Sequence, residues 1–310
     1  MSLTVAAIIN TMEGLFPPAL AEEWDNTGLL VGDVNQNVER ILVSLDVDEE
    51  VIDEAVHQNV HMIISHHPLI FHPVKNLLFH ESLGKAIRKL IKNDIAVFCA
   101  HTNMDIAPGG INDFLAETLG LTGVEILAET KGENLFKLVV FVPQDFLDQV
   151  RTALCDAGAG YIGQYSHCTF AAAGEGTFLP LAGTNPFLGE QGKLEKAAEY
   201  RLETIVPQQK LKPVVEAMLK SHPYEEVAYD IFPTAIEGRK FGLGRVGCCP
   251  RPVTLAQLTE KVKSIFKVPV VRAAGDPEQV ISKVAVLGGA GMSYLYAAKK
   301  RGPSVLSQVT

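Results

Sequence analysis

The sequence predicts an α/β protein whose core is interrupted by an inserted α+β module. Over the first third of the chain, apolar strands alternate with amphipathic helices, which is typical of parallel β-α-β units. The order of elements changes after a polar stretch at residues 129–134, and the α/β pattern returns after a second one at residues 237–240. We therefore expect three segments, residues 1–130, 131–236 and 237–310.

The first segment opens with a helix that Thr4 caps and that ends near Leu15, before two prolines. Apolar runs then alternate with helical patterns in which apolar residues recur on one face. Strands are predicted over residues 40–47, 60–65 and 95–100, and helices over residues 49–59, 82–93 and 111–119.

The middle segment has the order β-α-β-β-α-β of a ferredoxin-like module. It runs from the strand FKLVVFV at residue 136 through a helix at 145–157 and a hairpin around residues 174–176. A strand ending at Val206, a helix at 209–220 and a strand at 227–232 complete it. In the last segment we expect strands at residues 242–248, 268–272, 284–287 and 304–309, and helices at 255–266 and 293–300.

Composition narrows the class of function. The 310 residues carry 27 basic and 36 acidic side chains, a net charge of −9, which argues against nucleic acid as a partner. Five cysteines without regular spacing argue against a disulfide framework and fit a reducing compartment. We find neither an apolar run of membrane-spanning length nor a signal peptide, and we expect a cytoplasmic protein.

The sequence Ser65-His66-His67-Pro68 follows the second strand directly. Neighbouring side chains in a regular strand point to opposite faces, but two adjacent histidines can converge where a strand leaves for a loop. Pro68 favours such an extended exit. The carboxyl ends of parallel strands are also where α/β folds place their sites.

The next strand ends in the same way, with His101 and then Asp105. If the two strands are neighbours, Asp105 can reach His66 and His67 to form a divalent-metal site. Two imidazoles and a carboxylate suit zinc, iron, manganese or nickel, and we expect zinc first. The alternative is a hydrogen-bonded strand end that holds no metal.

Three other motifs each carry a functional and a structural interpretation. Asp25 and Asn26 are expected either to line a pocket or to form a polar turn with Trp24 in the core. The glycines after the strand at 284–287 form an anion site or a tight turn. His222 and Glu226 form a metal pair or, in the interpretation that Pro223 favours, a helix stop.

Taken together, these segments resemble the Nif-three-like family, also labelled GTP cyclohydrolase 1 type 2 homologues. The resemblance rests on EEWDNTGLLVGD (22–33), ISHHPLIF (64–71), AHTNMDIAPGGIND (100–113), GLGRVG (242–247) and VAVLGGAGMS (284–293). The insert, with its SHPYEEVAYDIFP segment, is similar to that of the longer bacterial members, which resembles PII and CutA-type proteins.

The resemblance implies a dinuclear metal site between two α/β lobes and a homohexamer built from trimers. His66, His67 and Asp105 match ligand positions, and His101 matches a position that lines the site, where we assign it a catalytic role. The family also has a C-terminal histidine and glutamate in a GHxxSE-like motif. The sequence ends at Thr310 before that motif, so we expect an incomplete second lobe, in which a second ion would need ligands from elsewhere, such as water or another chain.

Two functions of different class remain open. The first is a metal-dependent hydrolase in which metal-activated water attacks a small-molecule substrate and His101 acts as acid or base. The second is a non-catalytic metal-binding or regulatory assembly. DNA binding through the channel of a ring is a third interpretation, and the net charge opposes it.

Overall fold

The protein, described here by a computed structural model that covers residues 3–303 and 305–309, forms two compact units. The first unit comprises Met1–Lys131 and Phe241–Thr310, and the second comprises Gly132–Lys240. The chain passes between them through two long strands. Helices alternate along the chain with the strands of two β-sheets, which confirms the predicted α/β class.

The strands in chain order are β1 (Gly28–Val31), β2 (Ile41–Ser44), β3 (Met62–Ser65), β4 (Ala96–Cys99), β5 (Thr122–Pro143), β6 (Thr169–Phe178), β7 (Glu195–Pro207), β8 (Tyr229–Thr254), β9 (Val280–Gly288) and β10 (Val305–Val309). The α-helices are α1 (Val5–Leu15), α2 (Glu49–His57), α3 (Ser82–Lys92), α4 (Thr102–Ile106), α5 (Ile111–Thr118), α6 (Leu147–Asp156), α7 (Leu211–Ser221), α8 (Leu255–Phe266) and α9 (Leu295–Arg301).

The first sheet of the first unit has the strand order β1-β4-β3-β2. Strands β2, β3 and β4 are parallel, as the alternation of strands and helices predicts, whereas β1 is antiparallel to β4. Ser65 at the end of β3 pairs with Cys99 at the end of β4. The chain therefore leaves both central strands at the same edge of the sheet.

Buried side chains on both faces hold these strands in place. Ile63 packs with Ile52 and Leu90 of the flanking helices, and Met62 packs with Phe98 on the other face. Each is essentially inaccessible to solvent, and burying a side chain of this size contributes about 1.5–3 kcal/mol. The strand ends that carry His66 and His101 thus start from a rigid base.

Within the second unit, the elements follow the order β5-α6-β6-β7-α7-β8, and the strands lie in the order β8-β5-β7-β6. Strand β7 is antiparallel to both β5 and β6. This confirms the predicted ferredoxin-like topology. Its core packs strand residues such as Leu138 and Leu202 against Val150, Val214 and Met218 of the two helices.

The polar stretches at 129–134 and 237–240 lie inside β5 and β8, where the chain passes from one compact unit to the other. Several predicted elements were wrong. Residues 174–176 lie inside a continuous β6 rather than at a hairpin turn. Residues 268–272 form no strand, because Pro269 lacks the N–H that a ladder requires and Lys267 before it is left-handed (φ 53°). Ser304, assigned to the last strand, lies outside the described residues.

Two predictions from composition concern the state of the cysteines and the length of apolar helices. All five cysteines are free. Within residues 3–303 and 305–309, every helix is too short or too polar to cross a bilayer.

An ion pair with a buried arginine joins α5 to strand β8. Arg245 of β8, which is 4% exposed, donates through Nε and Nη2 to the carboxylate of Asp113, with 2.9 Å between Nη2 and Oδ2. Although burial opposes it, Arg245 lowers the pKa of Asp113. The pair therefore stabilises the fold above the ordinary carboxylate pKa and is lost as pH falls below it.

We expect Asp113→Ala to destabilise the protein by about 3 kcal/mol, because it leaves the Arg245 guanidinium buried without its counter-ion. Urea unfolding of the wild type and the variant at neutral pH measures the effect. The difference should shrink in acid, where Asp113 is protonated in both states. Asp53→Ala, which breaks an exposed ion pair between Asp53 of α2 and Lys89 of α3, is the control. A change in Asp113→Ala no larger than in that control would contradict the assignment.

Candidate metal centre

Three histidines come together at the carboxyl edge of the first sheet. His66 and His67 follow β3, and His101 follows β4. Their ring centroids are 5.1 to 5.7 Å apart, and each ring presents a nitrogen within 4.8 Å of the other two. The cluster can therefore hold a metal ion. The structure places His101 in the same group as His66 and His67.

Each imidazole is oriented through its Nδ1 atom. His66 Nδ1 lies 3.0 Å from the carbonyl oxygen of Ala100, His67 Nδ1 lies 2.8 Å from Oδ1 of Asp46, and His101 Nδ1 lies 2.7 Å from Oδ1 of Asp25. All three partners only accept hydrogen bonds, so each Nδ1 carries the proton. The Nε2 lone pairs are then free to bind a metal, which is the arrangement found around metal-binding histidines.

Asp105 reaches the cluster from α4, the short helix that follows β4. Its residue is 7% exposed, and its Oδ1 lies 3.8 Å from Nε2 of His66. That separation exceeds hydrogen-bond distance, and Oδ1 is buried with no hydrogen-bond partner among the described residues. A buried carboxylate oxygen without a donor is costly unless a cation satisfies it.

The protonation states make this arrangement specific for a cation. Burial lowers the pKa of His66 to about 4, so its ring is neutral and Nε2 presents a lone pair. Burial raises the pKa of Asp105 to about 6, yet the carboxylate is still ionised at neutral pH. Two electron-pair donors therefore face each other across 3.8 Å. Two atoms bound to one zinc ion at about 2.0–2.2 Å are separated by roughly 3–4 Å, so the residues fit the ion.

The nearby thiol of Cys99 does not belong to this donor set. Its Sγ donates to the carbonyl oxygen of His66, and burial raises its pKa to about 12. A protonated thiol is a poor metal ligand.

Asp25 orients the His101 ring by accepting its Nδ1 proton in a hydrogen bond. Its side chain is fully buried, and its second oxygen accepts hydrogen bonds from the backbone N–H (3.0 Å) and the hydroxyl of Thr102. Burial alone would raise the pKa of Asp25, but the bonds from His101 and Thr102 outweigh it and lower that pKa to about 2. Of the two interpretations of Asp25, the structure favours a place in the site.

We expect Asp25→Asn to disturb His101 without removing the metal, because Asp25 accepts hydrogen bonds from Asn26, His101 and Thr102 and not from His66 or His67. The amide is neutral, so the Nδ1 proton of His101 loses its charged acceptor, and where the amide NH₂ faces the ring that proton moves from Nδ1 to Nε2. ¹⁵N NMR of the ring reports the tautomer, and competition with a chromophoric chelator should give a zinc affinity within about tenfold of the wild type. Asp53→Asn is the matched control. An unchanged His101 tautomer in a folded Asp25→Asn protein would contradict this role.

An aromatic wall flanks the cluster. The Trp24 ring lies 6.1 Å from the His101 ring and 5.8 Å from Phe71. Trp24 is 60% exposed, an unusual position for the chain's one tryptophan. The wall offers a flat apolar surface to a molecule that approaches the histidines.

The remaining motifs have structural roles. Asn112 Nδ2 donates to the backbone oxygen of Asp105, and Asn112 Oδ1 accepts from the N–H of Gly288, which ties α4 to the glycine turn after β9. That N–H is thus already used, which favours a tight turn over an anion site. His222 accepts from the N–H of Tyr224 and donates to the carbonyl of Phe141. With both ring nitrogens engaged, His222 ends α7 and is not a metal ligand.

Asp46 is the site residue that sequence reasoning missed. It follows β2, whose last residue Ser44 pairs with Ser65 of β3, so it reaches the same sheet edge as His67. The signal was present, since a third predicted strand ends in an aspartate, but it becomes informative only once β2 is known to neighbour β3.

Comparisons with known proteins agree with this architecture. The family model Duf34/NIF3 (NGG1p interacting factor 3) matches residues 3–306. The chain is 48% identical over 299 residues to a Halalkalibacterium halodurans protein named GTP cyclohydrolase 1 type 2 homolog, covering 96% of this chain and 80% of that protein. A Bacillus subtilis protein of the same name is 48% identical over 298 residues, with the same two coverages.

The solved structures include a Bacillus cereus protein related to NIF3, which aligns with a TM-score of 0.92 at 46% identity. The alignment covers 99% of this chain and 82% of that one. A Staphylococcus aureus protein aligns with a TM-score of 0.74 at 29% identity, covering 99% and 81%. The chain therefore belongs to the Duf34/NIF3 family.

Proposed function

We propose that this protein is a metal-dependent hydrolase. The observation that carries the proposal is the unpartnered Oδ1 of Asp105, which faces the neutral Nε2 of His66 across 3.8 Å. A buried pair of electron donors persists in a folded protein when a cation binds between them.

His66, His67 and Asp105 would hold the ion, with zinc as the first candidate and iron, manganese or nickel as alternatives. When bound, such an ion acts as a Lewis acid and activates water near neutral pH. Three protein ligands leave a coordination position open, which is the pattern of catalytic rather than structural zinc sites. His67 is about half exposed, so a small molecule can approach from its side.

His101 would move the proton. Its Nδ1 proton is held by Asp25, so Nε2 is the atom that accepts a proton from the attacking water and returns it to the leaving group. Asp25, whose pKa is about 2, stays ionised and stabilises the positive imidazolium that forms. A buried Asp–His pair of this kind orients the ring and favours its charged form.

Trp24 and Phe71 would position the substrate. Their rings offer a stacking surface beside His101, which suits a substrate with a flat heterocycle. The relatives carry the name GTP cyclohydrolase 1 type 2 homolog, so GTP is the first substrate to test. Other nucleotides and phosphoesters follow, because a family label alone does not define a substrate.

The test is turnover of these substrates with zinc, manganese or cobalt by the wild type, His66→Ala and His101→Ala. We expect metal-dependent turnover that falls by about 100-fold or more in both variants. His101→Ala should retain its metal while His66→Ala should lose it. His57→Ala, which removes an exposed histidine of α2, is the matched control and should match the wild type.

The second candidate is a non-catalytic metal-binding assembly. Tight stoichiometric metal without turnover of any substrate would favour it over the hydrolase. Loss of metal from His101→Ala would instead make His101 a ligand, in keeping with its place in the histidine cluster.

We also propose that the chain forms a homo-oligomer, a hexamer built from trimers. Strand β2 is an edge strand of the first sheet, and Val43 on it is 77% exposed. An exposed apolar edge is a common interaction surface. Light scattering on the eluted protein should give about six chain masses, and a monomer mass would reject the hexamer.

A further inference from the structure

A cavity of ≈ 530 Å³ lies wholly within the inserted unit and plays no part in the proposed hydrolase. Pockets of about 300–1,000 Å³ are the size that takes a small organic molecule. Its walls come from the ends of β6 and β7, from the loop between them, and from residues 224–228 before β8. None of its lining residues belongs to the metal centre.

Aromatic rings form the walls. The Tyr224 ring centroid lies 6.2 Å from that of Phe178 and 6.0 Å from that of Phe187. Phe187 rests in turn on Phe146, at 5.5 Å in an edge-on arrangement. Although half exposed, Phe187 is therefore supported from behind. Three rings around one space can contact a ligand from several sides.

The charged groups of the cavity are all acidic. Glu199, Glu225 and Glu226 line it, and its described lining contains no lysine, arginine or histidine. Glu199 Oε1 accepts the Tyr224 hydroxyl at 2.9 Å. The structure leaves room for this carboxylate, because a Cβ at Gly176 would lie 2.2 Å from Glu199 Oε2.

The loop between β6 and β7, which forms one side of the cavity, is held in place by hydrogen bonds. Gln191 Nε2 donates to the backbone oxygen of Thr184 at 2.7 Å, and the N–H of Gly192 donates to that of Pro180 at 2.8 Å. The N–H of Asn185 donates to Glu225 Oε1 at 2.9 Å, which fastens the loop to the acidic side. The cavity is thus held open without a ligand, which reduces the ordering needed on binding.

We propose that this cavity binds a small organic cation, such as a protonated arylalkylamine or a quaternary ammonium compound. Aromatic faces attract a cation through their ring quadrupoles, and the carboxylates supply the opposite charge. A neutral apolar ligand would gain nothing from the glutamates, and an anion would be repelled by them. The site belongs to the inserted unit and shares no residue with the metal centre.

The probe is phenyltrimethylammonium, compared with 2-phenyl-2-propanol, a neutral compound of similar shape. Titration of the full chain followed by NMR should show one saturable site with a Kd at or below about 1 mM for the cation. We expect binding at least about tenfold weaker for the neutral compound. Binding should be unchanged in His66→Ala, so this result and the hydrolase test fail independently.

Two variants locate the site. Glu199→Gln keeps an oxygen for the Tyr224 hydroxyl but removes the charge, and Phe187→Ala removes one wall. Each should weaken cation binding by about tenfold, while the matched controls Glu216→Gln on α7 and Phe170→Ala on β6 should not. If either variant fails to fold by circular dichroism, the exposed double variant Glu225→Gln with Glu226→Gln replaces it.

Three results would overturn the proposal. The first is equal or tighter binding of the neutral compound, and the second is no saturation by about 10 mM of the cation. The third is a lower solution mass in Phe187→Ala but not in Phe170→Ala, which would assign the aromatic wall to an interface between copies of the chain.

Discussion

Replacing His66 with alanine is expected to weaken zinc binding by about a thousandfold. His66 is the most constrained donor of the cluster, because its Nδ1 is held by the Ala100 carbonyl and its ring is mostly buried. Water entering the gap left by alanine would not reproduce an oriented imidazole nitrogen. Competition with a chromophoric chelator of known affinity measures the change at pH 7.5, where the wild-type ring is neutral.

The matched control is His57→Ala, which removes a surface histidine at the end of α2. It should bind zinc as the wild type does. Circular dichroism on both variants checks that the fold is retained. Wild-type zinc affinity in a folded His66→Ala protein would remove His66 from the site, and equal losses in both variants would indicate nonspecific surface binding.

Asp105→Asn is expected to have opposite effects with and without metal. The metal-free wild type buries an ionised carboxylate whose Oδ1 has no donor, and asparagine removes that charge while keeping the shape. We therefore expect the metal-free variant to be more stable than the wild type by roughly 2 kcal/mol at pH 8. Excess zinc should raise the Tm of the wild type but not of the variant, because the variant has lost an anionic ligand.

The pH dependence of the unfolding free energy shows whether the Asp105 carboxylate causes this difference in stability. The folded-state pKa of Asp105, about 6, is above its ordinary value of 3.8, so the folded protein binds this proton more tightly than the unfolded chain does. Stability from Asp105 is therefore full below pH about 4 and declines between about 4 and 6. The variant lacks this decline.

The difference in unfolding free energy between variant and wild type should thus be near zero at pH about 4 and level off above about 6. His66 titrates in both proteins, so its contribution largely cancels in the difference. Asp230→Asn, which neutralises an exposed carboxylate of β8, should give a flat difference across this range. A metal-free Asp105→Asn protein less stable than the wild type would mean that Asp105 makes a favourable contact that a cation does not explain.

Much of the first unit could be predicted from local pattern. Strands β3 and β4 are buried on both faces, so their sequences are nearly unbroken apolar runs. The polar residues that follow each run therefore stand out in the sequence. Parallel neighbours bring their carboxyl ends to one edge, so His66, His67, His101 and Asp105 could be grouped before any geometry was known.

The long strands could not be predicted in the same way. Residues 129–134 are polar because that part of β5 is largely exposed, while its backbone still forms ladder hydrogen bonds. Polarity reports exposure rather than the end of a strand. Helix α4 was missed because one turn of helix has no periodicity to detect, yet it is the turn that returns Asp105 towards His66.

Contacts between segments distant in the sequence were the hardest to predict from the sequence. Asp25 lies 76 residues before His101, and a polar turn after Trp24 has the same local signature whether or not it supports a site. The Arg245–Asp113 pair and the aromatic cavity likewise depend on which elements are neighbours in space. Such contacts follow from topology rather than from spacing along the chain.

The central claim is that imidazole and carboxylate groups at this sheet edge bind one divalent ion. X-ray absorption at the zinc edge of protein loaded with one equivalent tests it most directly. We predict a first shell of nitrogen and oxygen at about 2.0–2.1 Å, with the multiple scattering of imidazole rings and no sulfur. That scattering should diminish in His66→Ala. A sulfur shell near about 2.3 Å, or zinc coordinated only by water oxygens, would contradict the account.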